Sequence, residues 1–281
     1  MNVRADSPAA AGAGLPAGMA AAVAELRQRP LTGISKGFGG LAAREVVTAA
    51  SLAKRRPWVF GGDFTMPLLV LRDTAVRANI EAMARYCAAA GVELAPHGKT
   101  AMAPQLIARQ LAAGSWGVTA ATIGHVQVYR AFGVPRVLLA NELADPAGVA
   151  WLAAEMTADP DFECFAYVDS VPGVTLLNGL LAGSGATRPL PVLVELGYPG
   201  GRTGCRSAGE GLAVARAGTA AARSAARPGC ASPGWTISTP TWPCRRTAAW
   251  ASATWSASAS PIRARPSTSG ASFRWRTTAT T

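Results

Sequence analysis

The chain has 281 residues, 49% of them hydrophobic, with 27 Lys and Arg against 16 Asp and Glu and a formal net charge of +11. That apolar content excludes a wholly disordered polymer, and no apolar run reaches the roughly 18 residues that a membrane-spanning helix needs. Five Cys at irregular spacing without a C-x-x-C pair suit a reducing cytoplasm better than a disulfide framework.

Residues 1–55 read as a flexible leader with some helix. The stretch from Met1 to Ala22 is rich in Ala and Gly, but it carries Arg4 and Asp6 and has no compact Leu-rich centre, so it is not read as a signal peptide. From residue 56 to 216 the pattern becomes regular. Asp73 is expected to cap a helix whose apolar residues Val76, Ile80, Met83 and Cys87 recur at helical spacing. A short strand from Val92 to Ala95 follows, then a helix opened by Pro104 and closed by Gly114, which carries Leu106, Ile107 and Leu111. Next come a strand from Gly117 to Ala120, a helix from Ile123 to Phe132 behind Thr122 with Gly133 as its stop, and a strand from Val137 to Ala140. A helix from Pro146 to Met156, a strand from Cys164 to Val168, a helix from Val174 to Leu181 and a strand from Val192 to Leu196 complete the run. Strands alternating with helices at intervals of about 25 residues predict an α/β fold with a parallel sheet. Five strands fit either an unfinished (β/α)8 barrel or an open doubly wound sheet.

Residues 217–281 differ in kind: they hold 8 Arg, no acid, five of the eight Trp, and no Leu, Val, Met, Tyr, Lys, Asn, Gln or His. Such a segment has no apolar period for a helix or a strand and builds no core. A disordered basic arm and a nucleic-acid segment with interleaved Trp are two readings, but neither favours a total loss of Leu and Val. Out-of-frame translation of a GC-rich gene yields this composition directly and is the favoured reading. Residues 255–275, rebuilt one base upstream with permissive third-base choices, can read LVGVGVTHPCTTFDKWRVIPV, with a His where Ile262 stands and a Cys where Ala264 stands. The nucleotide sequence over codons 210–281 checks this. The frame one base upstream is expected to encode a β-rich segment with His-Pro-Cys, and codons incompatible with that string return weight to a genuine basic tail.

Parallel α/β folds place their chemistry at the carboxyl ends of strands. After the first predicted strand stands Pro96-His97-Gly98-Lys99-Thr100. Its Gly-Lys-Thr triplet is not a P-loop, since Glu93 stands where that motif needs its first Gly. What remains is a Lys in a short turn, either a solvated surface charge or an amine set up for Schiff-base chemistry by partial burial or nearby cations. Later strand ends carry Thr122, Asn141, Asp169 with Ser170, and the run from Glu195 through Gly200-Gly201-Arg202-Thr203-Gly204. Thr122 and Asp169 are well placed as helix caps. The Gly-rich turn allows a sharp path that aims Arg202 back over the strand ends. His125 falls within a helix and reads as a surface or packing residue, not a catalyst.

Four blocks together resemble one family: Gly62-Asp63-Phe64-Thr65 to Leu71, Leu94-Ala95-Pro96-His97-Gly98-Lys99-Thr100, Val137-Leu138-Leu139-Ala140-Asn141-Glu142-Leu143, and Gly200-Gly201-Arg202-Thr203-Gly204. They look like the D-threonine aldolase and D-serine dehydratase-like family, which includes amino acid deaminases. It is a branch of the fold-type III pyridoxal 5′-phosphate (PLP) enzymes with an alanine racemase-type N-terminal domain. The resemblance covers roughly residues 60–215. It implies a partial (β/α)8 barrel over residues 56–216 and a PLP-dependent lyase, dehydratase, deaminase or aldolase, acting on a D-serine- or D-threonine-like substrate. It further implies Lys99 as the Schiff-base lysine, His97 beside the cofactor, and Arg202 near the cofactor's phenolic oxygen or the substrate carboxylate. Intact relatives are expected to be homodimers carrying a divalent zinc or manganese ion on a C-terminal His-x-Cys segment. No such segment stands in this frame, so the chain itself is expected to be truncated and inactive, with open sheet edges. A PLP-binding protein without turnover and a nucleic-acid-binding protein are the alternatives.

Overall fold

A computed structural model describes residues 15–31 and 47–225, with side chains described to residue 221. The four strands are β1 (Val118–Ala120), β2 (Arg136–Glu142), β3 (Glu163–Val168) and β4 (Val192–Val194). The helices are α1 (Ala17–Gln28), α2 (Ala49–Arg55), α3 (Asp73–Ala90), α4 (Pro104–Ala112), α5 (Ile123–Ala131), α6 (Pro146–Ala158), α7 (Val171–Gly183) and α8 (Ala208–Ala225). All of these lie in the compact unit Met1–Trp242, and a second unit, Pro243–Thr281, falls outside the described residues.

The sheet is wholly parallel and its order, β1-β2-β3-β4, follows the chain. A doubly wound sheet reverses its order at a switch point; the four described strands do not. Crossovers of one hand that always advance in one direction deliver every helix to the same face, and the burial pattern records this. Val137, Leu139, Cys164, Ala166, Val168 and Val192 are buried against Ile107, Leu111, Val126, Leu152, Val174 and Leu177 of the helices. The alternate residues Leu138, Ala140, Phe165, Tyr167 and Leu193 are only half-buried on the opposite face. The described Cys residues 87, 164 and 205 are free thiols, and burial pushes Cys164 up to about 12, which leaves it a packing group. Among the described residues no helix is long and apolar enough to cross a membrane.

The structure alters several expectations. The strand expected at Val92–Ala95 pairs later: Trp116 N donates to Leu94 O (2.8 Å), Thr119 N to Pro96 O (2.8 Å), and Gly98 N to Thr119 O (3.1 Å). The reason is the end of α3, where Gly91 turns left-handed and Val92 N closes back onto Cys87 O, so Val92 is used in the cap. Asp73 opens α3 without a capping bond and instead pairs with Arg109 (2.6 Å). The apolar stripe expected on α3 is barely covered: the helix has no buried residue.

The stretch expected as a flexible leader with some helix contains α1, whose Met19 is fully buried in the core and abuts the turn at Gly133. Ala-rich sequence reads as loose, yet Met19 with Val23 packed against the core docks a helix of high propensity. At the other end α8 runs past residue 216 to Ala225, with Ala217 and Ala221 packed against the core. Alanine needs no large apolar period to continue a helix already anchored at Val214. The remaining tail, including Cys230, Cys244 and the rebuilt segment 255–275, lies outside the described residues.

Candidate active site

The Pro96–Thr100 turn caps the edge of the sheet beside β1. Gly98 is buried there, and a Cβ at this position would meet the Tyr129 hydroxyl at 2.5 Å, its Cζ at 2.8 Å and Val118 Cγ1 at 2.9 Å. Tyr129 cannot withdraw: it is buried and its hydroxyl donates to Met102 Sδ at 3.6 Å. Only glycine lets the turn sit this close to α5, and that close seat leaves the flanking His97 and Lys99 on the exposed side.

A cavity of about 590 Å³ opens across the carboxyl ends of the strands. His97, Lys99 and Arg202, the three residues singled out from the sequence, all line it. They are joined by Asn141 from β2, Tyr167 from β3, Glu195 just after β4, and Thr203. Asn141 is held by its Nδ2, which donates to Ala121 O (3.1 Å). Thr203 Oγ1 donates to Glu195 Oε1 (2.9 Å), tying the Gly-rich turn to the end of β4. Burial, and then the Glu195 charge, push the Tyr167 phenol up, so it stays a hydrogen-bond donor at neutral pH.

Some strand-end residues do other work. Thr122 caps α5 as expected, accepting from His125 N (3.3 Å), while His125 accepts from Ala121 N and stacks on Tyr129. Asp169 is not a cap. Ser170 caps α7, accepting from Gly173 N (3.2 Å), and Asp169 Oδ2 accepts from Gly204 N (3.2 Å). With two adjacent cap-type residues, the sequence does not say which one the chain turns on; the approach of the Gly204 turn decides it.

Glu142, Tyr167, Glu195 and Thr203 were given no role from sequence. Alternation from Phe165 would have placed Tyr167 on the inner face, but Glu142 carried no signal, because it reaches its place through a register shift between Leu139 and Glu142. Its Oε1 is buried without a hydrogen-bond partner. Burial first, then a hydrogen bond shared with Glu195 and the charges of Asp169 and Glu195, push its carboxyl above the usual range, against the pull of a backbone amide. A carboxyl raised in the folded state is protonated more readily there than in the unfolded chain, so stability falls as pH rises from about 4.3 through the raised value. Glu142→Gln is therefore expected to be more stable than the wild type at pH 7 and equal to it near pH 4, measured by denaturant unfolding at both values.

A polar cavity at the carboxyl ends of parallel strands, with an amine and a guanidinium on its wall, is the site architecture of an α/β enzyme. Comparison with known proteins narrows the class. The chain is 29% identical over 150 residues to a D-threonine aldolase of Arthrobacter sp, which covers 53% of this chain and 38% of that one. The crystal structure of D-threonine aldolase from Filomicrobium marinum superposes with a TM-score of 0.52 at 26% identity, over 62% of this chain and 43% of its own. A D-threo-3-hydroxyaspartate dehydratase from Delftia sp. HT23 aligns at 25% identity over 50% of this chain and 36% of its own, with a TM-score of 0.41. No protein-family model matches. Over its matched part the chain is thus similar to D-threonine aldolases, and it spans about two-fifths of the length of those it matches.

Proposed function

We propose that residues 56–216 are part of a (β/α)8 barrel of the alanine racemase N-terminal type that takes up PLP at Lys99. In this reading the chain derives from a lyase acting on D-amino acids with a β-hydroxyl, D-serine- or D-threonine-like. One observation carries the reading: the Lys99 amine stands just past the segment that pairs in parallel with β1 at the edge of a consecutively ordered sheet, on the same cavity as Arg202. The D-threonine aldolases to which the chain is similar support the reaction class.

The residues present fit such a cofactor. The site offers a primary amine for an aldehyde, a guanidinium for an anionic oxygen and a phenol as donor, in a volume suited to a small cofactor. Bound PLP supplies an electron sink for charge developing at the substrate Cα. Lys99 Nζ then moves the proton at that Cα. Arg202 offers its fork to the phenolic oxygen or to the substrate carboxylate, and His97 lies beside the amine. Loss of the β-hydroxyl would make the parent a dehydratase or deaminase; cleavage of Cα–Cβ would make it an aldolase. A divalent zinc or manganese ion belongs to that later chemistry. Among the described residues no group of three or more His, Cys, Asp or Glu is placed to hold a metal ion.

The test is reduction of the purified chain with borohydride in the presence of PLP, followed by peptide mass spectrometry. The expected label sits on Lys99, at a yield more than tenfold above any other lysine, and Lys99→Ala abolishes it. A label at Lys36 or Lys54 in its place would sink the assignment. Ammonia released from D-serine would mark the dehydratase, and acetaldehyde from D-threonine the aldolase. A Lys99 label with neither product marks a PLP-binding protein without turnover, the second reading, which follows from the expectation that this chain is inactive.

A further inference from the structure

Arg202 is exposed and sits in a turn with Gly200 and Gly201 before it and Gly204 after it. Such a turn left to itself samples many conformations, and any ligand that recruits Arg202 must bear the cost of ordering it. Glu195 ties Thr203 and Asp169 ties Gly204, and the backbone on both sides of Arg202 is further restrained by the Arg206 side chain. Its Nη1 donates to Thr203 O (2.6 Å) and its Nη2 to Gly201 O (2.7 Å), the carbonyls on either side of Arg202. The backbone N of Arg206 donates to Glu210 Oε2 (2.6 Å), which fixes the clamp to the first turn of α8. Gly197 makes room for it: a Cβ there would overlap Arg206 Nη1 and Thr203 O. Arg206 itself does not line the cavity, whereas Arg202 and Thr203 do. Among the described residues the Arg202 guanidinium has no partner of its own, so what holds it in place is the backbone that Arg206 ties.

We propose that Arg206 is a positioning residue that presents Arg202 and Thr203 to the cavity by clamping the carbonyls of Gly201 and Thr203, without touching the ligand. The inference rests on the PLP reading for the identity of that ligand, and on geometry alone for the clamp. A planar fork that spans two carbonyls is a property of Arg and not of Lys. Arg206→Lys is therefore expected to recover only part of the loss seen in Arg206→Ala.

The experiment uses the full chain, with PLP as the probe and the visible absorbance that PLP gains on condensing with an amine as the readout. Arg206→Ala is expected to weaken uptake at Lys99 about tenfold, the worth of one strong hydrogen bond. In an Arg202→Ala background the same change is expected to add less than twofold, because Thr203 keeps its own tie to Glu195 and the clamp acts on uptake through Arg202. In the unliganded chain, hydrogen exchange across residues 197–205 should quicken about tenfold in Arg206→Ala, with β2 and β3 unchanged. Unchanged exchange, or losses that multiply in the double variant, would overturn the proposal even where the wild type takes up PLP at Lys99. A wild-type chain without Lys99-dependent uptake overturns the PLP reading instead; faster exchange then still upholds the clamp, and unchanged exchange removes it.

Discussion

Gly204→Ala is expected to lower stability by about 3 kcal/mol and to abolish PLP uptake at Lys99. Gly204 has φ +89°, a left-handed conformation that an L side chain adopts only with strain. A Cβ there would also overlap Gly197 N and come within 2.8 Å of Gly197 Cα and 2.9 Å of Leu196 C. These are backbone atoms, so no rotamer change relieves the contact. They belong to a closed loop in which Gly197 N donates to Cys205 O (2.8 Å) and Cys205 N to Glu195 O (2.8 Å). Forcing the two sides apart breaks that pairing, lifts buried Cys205 and displaces Arg202 and Thr203 from the cavity. Gly200→Ala is the matched control. Gly200 is left-handed too, at φ +79°, but nothing stands within 4 Å of its Cβ position, so only backbone strain of about 1 kcal/mol is expected. Equal losses in the two variants, measured by denaturant unfolding, would show that close approach plays no part.

Arg130→Ala is expected to cost about 2–4 kcal/mol, a fall in Tm of roughly 5–10 °C. The Arg130 side chain is only 13% exposed. Its Nη2 lies 2.7 Å from Asp159 Oδ2 and 2.8 Å from Glu155 Oε1, its Nη1 donates to Val134 O (3.0 Å), and its guanidinium lies 4.1 Å over the ring of buried Phe162. One side chain thus joins α5, the turn into β2 and both ends of the α6 to β3 connection. Its removal leaves two carboxylates facing each other without a cation, which is why truncation costs more than an exposed ion pair is worth.

The pH dependence follows from Asp159. Burial raises its carboxyl, but hydrogen bonds from Arg130 and the amides of Asp161 and Phe162, with the Arg130 charge, outweigh this and hold it below the usual range. A depressed carboxyl contributes stability above its unfolded value of about 3.9 and loses it as pH falls through the lower folded value. The gap between wild type and Arg130→Ala should accordingly narrow below about pH 4. A gap constant from pH 7 to pH 3 would mean that packing on Phe162, and not charge, carries the effect.

Much of this molecule is legible in the amino-acid sequence because its strands and helices are short-range objects. An apolar stripe of Leu106, Ile107 and Leu111 marks α4, and Pro104, Gly133 and Pro146 mark ends of α4, α5 and α6. The parallel class follows from their alternation with strands, and with it the rule that chemistry sits at strand ends, which draws attention to the turns bearing Lys99 and Arg202; the roles of His97, Lys99 and Arg202 are what the family resemblance implies. Periodicity fails where a segment's fate depends on a distant partner. The Ala-rich stretches of α1 and α8 have weak patterns of their own and become helices that meet the core through Met19, Ala217 and Ala221.

Tertiary structure alone showed that the four described strands lie in chain order, because strand order is a matter of which edge each crossover returns to and leaves no trace in local composition. It alone showed that Asp169 serves the Gly204 turn and not α7, that Glu142 is carried into a carboxylate cluster by a register shift, and that Arg206 clamps the turn bearing Arg202. In each case the deciding interaction is a hydrogen bond or a charge across a gap whose width is set by packing. A sequence states which groups are available for such bonds; only the folded backbone brings them within the three ångströms or so at which they act.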